Sequence, residues 1–136
     1  MTTSAASRGF VRQQPAAIKI FENLKGNKTM TMYELLTSAL ITAKDAANQH
    51  NNDDDGGTCN FDTAYIRLPR WNRQQTIKAF ANAGLRTDVW NIFGRSAYMV
   101  FGCYTGQANR RTNQAEAVRD ALQNADYECS IYYQMD

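Results

Sequence analysis

Over about the last eighty residues the hydrophobic pattern switches repeatedly between a period near two and a period near 3.6, in the order β-α-β-β-α-β. Few folds accept that order. Phe61 to Leu68 alternates, with Ala64, Ile66 and Leu68 on one side and Thr63, Tyr65 and Arg67 on the other, and Pro69 stops the strand. Asn72 can cap the next helix with Gln75 reaching back; Ile77, Phe80, Ala81 and Leu85 form its expected inner face, and Gly84 its left-handed terminator. A hairpin of Thr87 to Phe93 and Ala97 to Cys103 follows, joined by Gly94-Arg95-Ser96.

A polar loop around Gly106 leads to Asn113 and Glu116, which offer a capping box for a helix marked by Val118, Ala121, Leu122 and Ala125. Tyr127, Cys129, Ile131 and Tyr133 then alternate in a last strand. The expectation is an α+β, ferredoxin-like split βαβ sandwich, its first and third strands central and both helices on one face. An extra N-terminal helix precedes it. Thr31-Met32-Tyr33-Glu34 is a capping box, Met30 and Leu35 form a hydrophobic staple, and Met32, Leu35, Leu36, Ala39, Leu40, Ala43 and Ala47 recur at helical spacing.

The chain of 136 residues fits one domain, expected over residues 30–136. Arg8, Arg12, Lys19, Lys25 and Lys28 against the single Glu22 make residues 1–29 net +4, leaving ten basic and twelve acidic residues in the remainder. Two readings of residues 1–29 stand open. One is a flexible polar tail with a short helix near Pro15 to Leu24. The other is a leader that natural translation omits, because Lys25-Gly26 can be encoded by a purine-rich ribosome-binding sequence a few codons before Met30 and Met32. No apolar stretch approaches the roughly 18 residues of a membrane helix, and no secretory signal is evident, so a cytoplasmic location is expected and no membrane partner. Cys59, Cys103 and Cys129 lack metal-ligand spacing and read as reduced thiols.

Basic residues dominate the middle of the chain. Between positions 67 and 119, nine arginines and lysines face only Asp88 and Glu116. Arg70-Trp71-Asn72-Arg73 and Asn109-Arg110-Arg111-Thr112 each fall at a helix start, where free N–H groups and the helix dipole already attract anions. Arginine adds bidentate donors suited to phosphate or carboxylate. The fold also invites comparison with the RNA-recognition motif. Ala97 to Phe101 resembles the end of that family's longer signature, and Tyr65 falls where the shorter one has its aromatic. Gly94, Arg95 and Ser96 replace the start of the longer signature, so a stacking platform would rest on Tyr65 and Tyr98. Tyr65, Arg67, Trp90, Tyr98 and Tyr132 would share an exposed face, unless the N-terminal helix covers it.

Asp53, Asp54 and Asp55, with His50, Asn60 and Asp62 nearby, are hard oxygen ligands, but they lack the spaced glycine and distal glutamate of an EF-hand loop. His50 is the only histidine, and no nucleophile elbow is present. No catalytic residue, metal ligand or cofactor is therefore assigned. The segments Gly57 to Asp62, Gly106 to Thr112, Gln114-Ala115-Glu116 and Tyr132 to Asp136 resemble a family of small uncharacterised proteins from phages and mobile elements of gut bacteria. That resemblance covers about residues 52–136, and what it implies is a mobile-element-encoded inhibitor of host defence, such as an anti-CRISPR protein acting on a CRISPR effector.

The expected function is thus a non-catalytic binding module for nucleic acid or a nucleic-acid-binding host protein. Arg67, Arg70, Trp71, Arg73, Tyr65, Tyr98, Arg110 and Arg111 would make the contact, and Asp53 to Asp55 could mimic phosphate against a basic groove. The alternatives are a metal-dependent nuclease or phosphotransferase using the acidic loop, and a structural protein that self-associates through its sheet edge. The sequence sets no oligomeric state.

Overall fold

The computed structural model describes residues 30–57 and 59–134. Readings that fall on residues 1–29, on Thr58, or on Met135 and Asp136 lie outside the described residues. Seven elements follow one another: α1 (Met32–Asn48), β1 (Thr63–Arg67), α2 (Arg73–Asn82), β2 (Val89–Ile92), β3 (Arg95–Met99), α3 (Ala108–Asn124) and β4 (Glu128–Tyr132). The fold is α+β, with a four-stranded antiparallel sheet in the order β2-β3-β1-β4. None of these helices is long and apolar enough to cross a membrane.

α1 starts where its sequence says it should. The Thr31 hydroxyl accepts from Glu34 N–H at 3.1 Å and the Glu34 carboxylate accepts from Thr31 N–H at 2.9 Å, which satisfies two of the donors a helix start leaves open. Its apolar stripe buries Leu35, Leu36, Leu40, Ala43 and Ala47. Leu36 and Leu40 join Ala64 and Ile66 of β1, Phe80 of α2, and Val118 and Leu122 of α3 in one cluster. Removing a side chain such as Leu40 from that core costs about 2–5 kcal/mol.

α1 lies between α2 and α3, on the same side of the sheet as both. It does not cover the other face. That face carries a second cluster of Tyr65, Ile92, Ala97 and Met99, flanked by half-buried Trp90, Phe101 and Tyr132. Trp90 sits between the other two rings, 6.0 Å from Phe101 and 5.8 Å from Tyr132. β1 is therefore buried on both faces, where simple alternation predicts one.

Three further expectations are corrected. The β2–β3 hairpin turns on two residues, Phe93 and Gly94, both at positive φ (53° and 81°), rather than on Gly94-Arg95-Ser96. A mirror-image two-residue turn matches the twist of its strands better than a three-residue loop. α2 is capped by Asn72, which accepts from Gln75 N–H at 2.9 Å, but the Asn72 N–H donates to the Tyr33 hydroxyl instead of to Gln75. Its buried face is Thr76, Ala79 and Phe80, followed by Ala83, leaving Ile77 and Ala81 exposed, because α1 approaches from the side that the local pattern assigns to solvent. Gly84 does terminate the helix at φ +78.

α3 begins at Ala108 with Gln107 as its N-cap, six residues before the expected cap at Asn113. Gln107 makes no side-chain capping bond. The cap comes from far away in the chain: Asp55 accepts from Gln107 N–H at 3.0 Å.

Candidate functional site

The arginine cluster at the start of α3 lies where residues 51–63 pack against that helix start. Arg110 donates from Nε to Asp55 Oδ1 at 3.0 Å, pairs through Nη2 with Asp55 Oδ2, and donates from Nη1 to the Asn51 carbonyl at 2.8 Å. Arg111 donates from Nε to the Asp62 carbonyl at 2.6 Å and from Nη2 to Thr63 Oγ1 at 3.1 Å, with its guanidinium 4.3 Å from the Tyr104 ring centroid. Burial lowers its pKa from the ordinary arginine value. Both guanidinium groups are consumed inside the molecule.

The acidic loop is consumed with them. Asp53 accepts from Asn113 Nδ2 at 2.9 Å and lies 2.6 Å from His50 Nδ1; these bonds, Asn113 first, hold its carboxyl below the usual range. The Gln107 N–H, and after it Arg110, do the same for Asp55. Asp54 is exposed and, alone among the three, its side chain makes no hydrogen bond among the described residues. Asp62, buried, accepts from Gln134 N–H and the Thr112 hydroxyl. Asn60 donates to the Ala108 carbonyl and to Thr112.

At the centre lies fully buried Gln114, whose burial no helical or strand periodicity indicates. Its carbonyl oxygen accepts from Thr105 and Gly106 N–H, and its amide donates to Thr105 Oγ1 at 2.7 Å and to Asn51 Oδ1. A buried glutamine is expensive without partners. Here it ties three segments together, so this assembly is a structural knot. Among the described residues no three His, Cys, Asp or Glu side chains converge as a metal site.

The expected stacking platform does not assemble. Tyr65 pairs across the strands with Met99, and Ile66 with Tyr98, so the two tyrosines stand on opposite faces of the sheet. Tyr98 is buried under the helices, stacked on Phe80 with centroids 6.4 Å apart. Tyr65 is buried on the other face, with the Arg67 guanidinium 5.1 Å from its ring centroid. Trp90 and Tyr132 do share that face with Tyr65 and Arg67. Arg67 is spent on the fold. Only 7% exposed, it donates to the carbonyls of Ile92, Arg95 and Ser96 at 2.9–3.1 Å, tying the hairpin to β1. Trp71 is half-buried, edge-on to Tyr33 at 5.2 Å and to Tyr127 at 6.3 Å.

The second arginine cluster differs. Arg70 and Arg73 are exposed at the start of α2, and neither makes an ion pair or side-chain hydrogen bond among the described residues. Lys78, five residues after Arg73 along α2, is exposed and likewise has no partner among the described residues. No acidic residue occurs from Arg70 to Asn82. Gln74, Ile77, Lys78 and Ala81 follow helical spacing on the outward side, and Ile77 is 43% exposed. Beside this surface, a cleft of about 340 Å3 opens between α1 and α2, lined by Met32, Tyr33, Thr37, Gln75, Lys78 and Asn82 among others. The absence of acids from α2 is legible in the sequence; its value as a signal emerges once the α3 arginines are known to be occupied.

Comparison of the chain with family models, with curated proteins and with solved structures returns no match.

Proposed function

We propose that this protein is a non-catalytic binding module that contacts nucleic acid through the outer face of α2. The single observation that carries this reading is the contrast between two arginine clusters. Arg110 and Arg111 are bonded into the fold, whereas Arg70, Arg73 and Lys78 stand on a stretch of chain that carries no acidic residue and have no internal partner among the described residues. Free, hydrated cations beside a capped helix start are suited to a phosphate backbone. The opposite reading, in which the acidic loop imitates phosphate for a basic protein groove, loses its support because Asp53 and Asp55 face His50, Asn113, Gln107 and Arg110. The same internal bonds occupy Asp53 and Asp55, two of the three carboxylates that a metal-dependent nuclease or phosphotransferase would use.

The framework we read as a ferredoxin-like sandwich with one added helix. The strand order β2-β3-β1-β4, with β1 and β3 central, supports this, as does the location of all three helices on one face. The resemblance to short proteins of phages and mobile elements favours a cytoplasmic setting in which the bound nucleic acid belongs to host defence machinery, such as a CRISPR effector complex.

Fluorescence anisotropy with labelled oligonucleotides tests the contact. The Arg73→Gln/Lys78→Gln variant should lose about tenfold in affinity at low salt, the order expected for two phosphate contacts. Arg95→Gln should bind as the parent does, because Arg95 is already paired with Glu128 at 3.1 Å on the far side of the sheet. Unchanged affinity in the α2 variant would remove the proposal.

A further inference from the structure

The cleft between α1 and α2 carries a more specific reading of the same surface. Its floor includes buried Ala79, and its α1 wall presents Met32 and Tyr33. The Thr37 hydroxyl is turned into the protein, bonded to the Tyr33 and Ala79 carbonyls at 3.1 and 3.0 Å. The rim is different in character. Gln75, Lys78 and Asn82 are exposed and their side chains have no partner among the described residues. Glu34 uses only one carboxylate oxygen, on the Thr31 N–H. An apolar interior ringed by amide, carboxylate and ammonium groups matches a nucleobase, which has an apolar face and a polar edge.

We propose that this cleft takes one unstacked nucleobase of a single-stranded nucleic acid, with a flanking phosphate on Lys78. The inference rests on the nucleic-acid reading above and restricts it to single strands, since a base within a duplex exposes neither its face nor its pairing edge. Tyr33 is held ready. Trp71 meets its ring edge-on at 5.2 Å, and its hydroxyl accepts from the Asn72 N–H at 3.0 Å, so little side-chain freedom is left to lose on binding. Gln75 and Asn82 each carry a donor and an acceptor, so they can meet the edge of any base and select strandedness rather than sequence. The Glu34 charge at the α1 rim keeps phosphate on the α2 side.

The test uses the full chain and a 12-nucleotide RNA carrying one central 4-thiouridine. Irradiation followed by peptide mass spectrometry should place adducts on Met32 or Tyr33. In parallel, Gln75→Leu/Asn82→Leu, which alters two exposed side chains that the fold does not use, should weaken single-strand binding about fivefold or more, the order expected when one base is no longer held. Binding of a hairpin duplex should not change, and a thermal melt of the variant confirms that the fold persists. Equal losses for single strand and duplex would overturn the cleft assignment while leaving α2 as the contact, whereas adducts confined to the open sheet face around Trp90 and Tyr132, opposite the helices, would overturn both. No binding of either probe at low salt would overturn both.

Discussion

Arg110 on the first turns of α3 holds Asp55 with a two-point contact across fifty-five positions of sequence, and the same carboxylate accepts the Gln107 N–H that the helix start leaves open. One acidic side chain thereby caps a helix and neutralises an arginine. The anion that a helix N-terminus attracts is supplied from within the chain, so this end of α3 has no vacancy for a phosphate. Backbone bonding reinforces the contact, since Asn109 N–H donates to the Gly56 carbonyl at 3.0 Å.

That arrangement predicts acid sensitivity. Asp55 and Asp53 both titrate below the ordinary aspartate value of 3.8 in the folded protein. Groups depressed in this way stabilise the fold above that value and cease to do so as pH falls through their folded pKa. The melting temperature of the parent should be level from neutral pH to about pH 5 and drop below about pH 4, whereas Asp55→Asn should melt lower at neutral pH and decline less steeply with acid. Parallel slopes in thermal melts across pH 2.5–7 would count against this role.

Arg67 gives a second prediction. Its removal leaves the carbonyls of Ile92, Arg95 and Ser96 without their donor at a buried site. Arg67→Ala should cost about 3 kcal/mol in urea denaturation, and Arg67→Lys should recover only part of it, because an ammonium lacks the planar fork that reaches all three. A loss below about 1 kcal/mol would mean that these bonds contribute little.

Much of the fold is readable in the sequence because it is locally encoded. Thr31 and Glu34, Asn72, and Gly84 are caps whose partners lie within a few residues, and β1 and β4 appear as runs of alternation. Long-range partners defeat the local patterns. Local capping rules place the α3 start at Asn113, but the capping oxygen comes from Asp55, and Asn113 is instead inside the helix, bonded to Asp53. Tyr98 falls on the unexpected face because a two-residue hairpin shifts β3 relative to the three-residue loop, and one residue of shift exchanges faces. The arginines can be counted from the sequence, but which of them are occupied depends on chain segments about fifty residues away.

The hairpin tip carries a conformational cost. Phe93 is at φ 53° and is 88% exposed, so its ring returns no packing for a backbone state that suits asparagine or glycine. Phe93→Asn should raise stability by about 0.5–1 kcal/mol, and denaturant titration reads the shift directly. A destabilised variant would show that the ring makes an interaction that its exposure does not reveal.

Thiol chemistry separates the three cysteines. Burial pushes the Cys103 thiol up to about 11 and the Cys129 thiol up to about 12, whereas Cys59 is exposed. Iodoacetamide at neutral pH should modify Cys59 alone in the native protein and all three after unfolding, as read by intact mass. Native modification of Cys103 or Cys129 would show that the core opens locally.

The salt dependence of nucleic-acid binding tests the division between a structural arginine cluster and a binding one most directly. Affinity for a single-stranded oligonucleotide should fall linearly on a log–log plot against salt, with a slope reduced by about 1.4 in Arg73→Gln/Lys78→Gln, roughly 0.7 for each phosphate that is no longer neutralised. A slope unchanged in that variant would contradict the assignment of the interface to α2.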